Sequence, residues 1–154
     1  MASDDELLQR CAIEALNAEF AYRIDRGNPE DVAELFVEDG SYGRASGERS
    51  HGHAELRAAY RQRSARGPRT ARHLFSNLRL TPRADGDLDG SCVLTLFAAD
   101  GVPPHVADPF LVADYDDIYR RCDDGRWRYV SRTITWLFVH RDGKVSPLPL
   151  GAAR

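Results

Sequence analysis

Lysine is almost missing from this chain. Lys144 is the single one among 21 basic residues, and 24 acidic residues bring the formal net charge to −3. We read the preference for arginine as composition, not mechanism. The lack of a basic excess argues against a dedicated nucleic-acid binder, because such domains carry extra cations to displace counterions from phosphates. No apolar run approaches the roughly 20 residues of a membrane span. The start, Met1-Ala2-Ser3-Asp4-Asp5-Glu6, has neither the basic nor the apolar segment of a signal peptide. The expected setting is the cytoplasm, with no membrane partner. Cysteine is scarce as well: Cys11, Cys92 and Cys122 never form a C-x-x-C pair, which argues against a disulfide framework or a zinc site. There is no G-x-S-x-G elbow and no P-loop, and Gly43, Gly47 and Gly52 do not make a dinucleotide fingerprint. No nicotinamide, flavin or nucleotide cofactor is implied, and no metal.

What is present fits one domain. A chain of 154 residues, 42% of them hydrophobic, buries roughly 70% of its unfolded surface, enough for one core and one pocket. We expect a single domain over residues 1–145 and a loose tail over 146–154.

Ser3-Asp4-Asp5-Glu6 is a capping box and should start a helix. Its apolar residues fall on two stripes, Leu7, Cys11, Ala15, Ala18 and Tyr22, and Ile13, Leu16, Phe20 and Ile24, so burial on two sides is expected. Gly27 ends it. Asn28-Pro29-Glu30-Asp31 starts a second helix, Glu38-Asp39-Gly40 reads as a turn, and Ser41–Arg44 as a short strand. A Gly- and Ser-bearing loop leads into a third helix from His53 to about Arg66. The period then changes to two, with strands over Arg72–Leu80, Ser91–Ala99, Pro109–Cys122 and Trp127–His140. This order is α+β, and strands so long should curl over the first helix and leave a funnel for a ligand.

Two residues are candidates for chemistry in that funnel. Asp25 lies in the last turn of the first helix, where the dipole disfavours a carboxylate. It is either turned inward or exposed beside Arg23, Arg26 or a sheet arginine. His73 lies early in the first long strand, with Phe75 and Asn77 on its side of the pleat. A strand histidine is either a hydrogen-bonded core residue or, beside a buried carboxylate, a base near neutral pH. The other histidines have plainer readings. His51 and His53 form an H-x-H pair without a defined third metal ligand, and His105 lies in an exposed or pocket-closing loop. Asp114, Asp116 and Asp117 with Arg120 and Arg121 read as ion pairs on a solvated face, or one of the acids faces the pocket.

Tyr22-x-x-Asp25-x-Gly27, Leu35-Phe36-x-x-Asp39-Gly40 and Arg72-His73-x-x-Ser76-Asn77 occur in this order. With the order of elements, they resemble the SnoaL-like group of the nuclear transport factor 2-like superfamily over about residues 5 to 140. The resemblance implies a cone-shaped α+β barrel, a curved, mostly antiparallel sheet wrapped around a long N-terminal helix. The branch of dehydratases and dehydrochlorinases looks nearest. It implies that His73 removes a proton from carbon while Asp25 orients it, with Tyr22 and Tyr42 as donors to a substrate oxygen. One departure is Phe20, which stands near where those lyases place a polar residue. Phe20, Phe75, Phe97, Tyr115 and Trp136 are candidate substrate contacts, as well as candidates for core packing.

Two functions follow. One is a cofactor-independent lyase or isomerase, dehydratase-like, acting on a hydrophobic oxygenated cyclic small molecule by Asp–His general-base catalysis. The other is a non-catalytic β subunit of a ring-hydroxylating dioxygenase, or a small-molecule binding protein of the same fold. Either is expected to form a homo-oligomer, a dimer or a trimer.

Overall fold

The computed structural model describes residues 3–140, and its first element is a helix, α1, over Asp4–Asp25. Residues 141–145 and the tail expected over 146–154 lie outside the described residues. The capping box forms as its sequence requires: the Glu6 amide donates to the Ser3 hydroxyl, and the Ser3 amide donates to the Glu6 carboxylate at 2.6 Å.

After α1 come a 3₁₀ helix over Pro29–Leu35, strand β1 (Phe36–Arg44), strand β2 (Arg49–His51), helix α2 (Gly52–Ser64), and four long strands. These are β3 (Arg69–Pro82), β4 (Leu88–Asp100), β5 (Leu111–Arg121) and β6 (Trp127–Val139). All six strands form one curved, open sheet in the order β2-β1-β6-β5-β4-β3. β1 runs parallel to β6, and every other neighbouring pair is antiparallel. The fold is α+β, with the sheet curled over the N-terminal helix.

Four local expectations need correction. Only the stripe of Ile13, Leu16 and Phe20 is buried in α1, joined by Asn17, whereas Leu7, Cys11 and Tyr22 are exposed. The sheet covers one side of this helix, so the second stripe meets solvent in the single chain. The segment after Asn28 closes as a seven-residue 3₁₀ helix, not an α-helix. Glu38-Asp39-Gly40 belongs to β1, where the pairing with β6 slips between Phe36 and Ser41; the irregularity takes up the turn-forming residues without ending the strand. Part of the expected loop is β2, held on β1 through Ser41, Tyr42 and Gly43.

Along β3, Ala71, His73 and Phe75 face the helix while Arg72, Leu74 and Ser76 are exposed. At Asn77 the backbone turns left-handed (φ 56°). The pairing with β4 shifts between Ser76 and Arg79, so Leu78 and Leu80, rather than Asn77, continue toward the core. An asparagine tolerates this conformation better than most residues.

The core below α1 is aromatic. Phe20 packs edge-on against Tyr42, Phe75, Tyr115 and Tyr129, with centroids 5.8–6.5 Å away. Arg132 is wholly buried among the same rings, its guanidinium carbon 4.1 Å from the Tyr115 ring and 4.5 Å from Phe20.

Candidate active site

The end of α1 and the start of β3 meet at Asp25 and His73. One Asp25 oxygen is 2.7 Å from His73 Nδ1, and the other accepts the His73 backbone N–H at 2.8 Å. These two donors offset the unfavourable field of the helix C-terminus on the carboxylate. The side chains are only 6% and 10% exposed. A carboxylate at Nδ1 selects the tautomer with the hydrogen there and leaves the Nε2 lone pair unprotonated, the form a general base requires.

Both residues line a cavity of about 640 Å³ between α1, α2 and the concave face of the sheet, within the range of ligand pockets, roughly 300–1,000 Å³. Ile24, Ala71, Leu94, Leu96, Leu111 and Ile134 make its apolar wall. Tyr42 and Tyr115 are buried residues that also line it, with hydroxyls 2.8 Å apart. Burial pushes the Tyr42 phenol above its ordinary range and the Tyr115 phenol well above it, so both stay protonated. One bond between two hydroxyls consumes one hydrogen; the accepting phenol keeps its own for a ligand oxygen.

The other residues singled out from the sequence divide. Trp136 lines the cavity, with the Arg44 guanidinium stacked 4.5 Å over its ring. Tyr22 does not: it is 56% exposed on the outer side of α1. Phe20 is a core residue beneath the cavity. Phe75 shares the face of His73 but borders a second, smaller cavity of about 470 Å³ between α1 and β3. Phe97 pairs with Arg72 and, by alternation with the buried Leu94 and Leu96, lies on the outer face of the sheet. His53 is 3.0 Å from the Phe36 carbonyl through Nε2, while His51 and His105 are exposed. Among the described residues no cluster of His, Cys, Asp and Glu is arranged to hold a metal ion.

Asp117 corrects the reading of the β5 acids. It is fully buried and grips Arg132 through both oxygens, at 2.9 and 2.8 Å, while Arg120 pairs with Asp87 instead. Arg132 also donates to Asn17 at 2.6 Å, Tyr129 donates to the same oxygen, and Tyr119 donates to Asp117. Burial would lower the Arg132 pKa, but Asp117 and the surrounding phenols hold it well above its ordinary value. Two signals for this network were present: Asn17 interrupts the buried stripe of α1, and Arg132 shares the inward alternation of Ile134 and Trp136.

Sequence analysis also missed three cavity arginines and the role of Tyr60. Arg44, Arg63 and Arg69 line the cavity, as does Tyr60, the inward phenol of α2.

The model of the SnoaL-like domain matches residues 5–133. The chain belongs to the SnoaL-like domain family. No curated protein matches it. Among solved structures, this SnoaL-like chain is similar to a Novosphingobium aromaticivorans protein provisionally named a scytalone dehydratase, at 19% identity and TM-score 0.79, over 99% of this chain and 97% of that one. It is also similar to ActVI-ORFA of Streptomyces coelicolor, at 18% identity and TM-score 0.73, over 83% and 97% of the two chains. A third likeness is to another N. aromaticivorans protein, provisionally named an aromatic ring hydroxylase, at 19% identity and TM-score 0.69, over 86% and 91%. At these identities the shared property is the fold.

Proposed function

We propose that this SnoaL-like protein is a cofactor-independent lyase or isomerase, dehydratase-like, that acts on a hydrophobic, oxygenated cyclic molecule. The observation carrying the reading is the Asp25–His73 pair, bonded at 2.7 Å on the wall of the 640 Å³ cavity. His73 Nε2 takes a proton from a carbon next to a carbonyl, or from one β to a leaving group. Asp25 keeps the imidazole in the basic tautomer and stabilises the imidazolium that forms. The Tyr42–Tyr115 pair donates to the substrate oxygen on which negative charge develops. General-base catalysis of this kind supplies about 10²- to 10⁴-fold.

The reading extends to the setting of the protein. We propose a homo-oligomer, supported by the exposed Leu74, Leu137, Phe138 and Val139 at the sheet. We also propose a cytoplasmic location, in keeping with the unpaired Cys11, Cys92 and Cys122. Among the described residues no helix is long and apolar enough to cross a membrane.

A structural β subunit or a binding protein is the second reading, and likeness to a protein provisionally named a ring hydroxylase speaks for it. The open cavity favours the enzyme, since a structural subunit has no use for an unfilled cone with a carboxylate–histidine pair on its wall. The test is turnover of a panel of cyclic β-hydroxy ketones and isomerisable cyclic enones by the native chain, His73→Ala and Asp25→Asn. Turnover by the native chain, lost in His73→Ala, is expected. Equal rates in all three proteins reject the catalytic reading.

A further inference from the structure

We propose that the cavity takes its ligand as an anion, a cyclic compound bearing a carboxylate, received by Tyr60 and Arg63 of α2 and Arg44 of β1. This rests on the reading of the cavity as a substrate site and names the class of substrate.

The lining is rich in positive charge. Among the described residues that line the cavity are four arginines, Arg26, Arg44, Arg63 and Arg69, and one carboxylate, Asp25. Asp25 already holds His73 with both oxygens and acts on the arginines only through its field, felt at Arg69. Arg63 pairs with Asp100 and Arg44 lies 3.7 Å from Glu48, and both of these acids are largely exposed. Burial pushes the Arg69 pKa down to about 10, and the positive charges of Arg63 and Arg66 push the same way against a partial offset from Asp100 and Asp25. A bound anion would relieve that repulsion in a setting where water screens little.

Unmet hydrogen bonds lie on the same wall. Tyr60 Oη, Arg63 Nε and Arg44 Nε are buried and have no acceptor. Tyr60 and Arg63 are 3% and 8% exposed. A buried N–H or O–H without an acceptor is costly, and native proteins leave few of them. Three on the wall of one cavity fit a ligand that brings the acceptors. Tyr60 and Arg63 are three residues apart, on the same face of α2. Arg44 is held flat against Trp136, with Nη1 toward Glu48 and the Nε hydrogen without an acceptor. Phenol and guanidinium edges suit the planar pair of oxygens of a carboxylate. The aliphatic remainder of the wall suits the ring that carries it.

The test is calorimetric titration with 2-naphthoate and its neutral counterpart, methyl 2-naphthoate, neither of which presents a proton for the dyad to remove. The acid is expected to bind the native protein about tenfold more tightly than the ester, the gain typical of charge-assisted hydrogen bonds. Tyr60→Phe and Arg63→Met should each weaken the acid by about five- to tenfold and leave the ester within about twofold. Circular dichroism checks the fold, and the near-isosteric Tyr60→Phe keeps the test open should Arg63→Met not fold. Equal affinity for acid and ester, parallel loss of both in the variants, or binding of neither at millimolar concentration overturns the proposal. Asp25→Asn should keep the acid-to-ester ratio. An intact ratio without turnover of any substrate rejects the enzymatic reading alone, whereas turnover without the ratio rejects the anion site alone.

Discussion

Asp25 accepts hydrogen bonds from both the ring and the backbone amide of His73. One carboxylate therefore ties the end of α1 to β3 and sets the tautomer of the imidazole.

A consequence can be read directly from the ring nitrogens. In Asp25→Asn the single amide oxygen can keep one of the two bonds; with it on the backbone N–H, the NH₂ group faces Nδ1 and drives the hydrogen to Nε2. We expect nitrogen NMR to report Nδ1–H in the native chain and Nε2–H in the variant. Any turnover should fall about 10²- to 10⁴-fold. Unchanged ring shifts would refute the role given to Asp25.

Asp117 and Arg132 form a second pair, wholly closed to solvent. Asp117→Ala leaves a buried guanidinium without its counter-charge, which should cost about 3–5 kcal/mol. Tyr119→Phe removes only one neutral donor to that carboxylate and should cost about 1–2 kcal/mol. Urea unfolding followed by circular dichroism measures both. Similar losses in the two variants would mean that the ion pair is not what holds this part of the core.

Cys92 supplies a test of how tightly the sheet closes. Burial pushes its thiol up to about 12, and the thiolate is the reactive form. Near pH 8 iodoacetamide should label the exposed Cys11 and leave Cys92 unmodified until the protein unfolds. Raising the pH toward 10 should still leave Cys92 unmodified in the folded protein. Peptide mass spectrometry separates the two sites; equal rates in the folded protein would contradict the burial of Cys92.

Much of this fold was legible because it is built from local signals. The Ser3–Glu6 box started α1 where expected, and the change to a period of two found the four long strands to within three residues at each end. Gly27 put Asp25 in the last turn of α1 and alternation put His73 early in β3, but local spacing left each side chain two settings; only the motifs shared with SnoaL-like proteins paired them. Tyr22 and Phe97 went astray for two different reasons. Helical spacing admits two apolar stripes but does not say which one the sheet covers. Period-two alternation says that Phe97 opposes Leu96 without saying which of them faces the helix.

The sequence by itself determined the elements, their order and the motifs of a SnoaL-like domain, because caps, turn residues and periodicity act over a few positions along the chain. The tertiary structure decided what those elements do for one another. Across 48 residues of chain it brought Asp25 to His73, and across 115 it brought Asn17 to Arg132. Among the described residues it also set the cavity arginines of β1, α2 and β3 around a single lining carboxylate, Asp25. A net charge of −3 gave no hint of that local positive excess, since a sum over the chain carries no information about which charges share a wall.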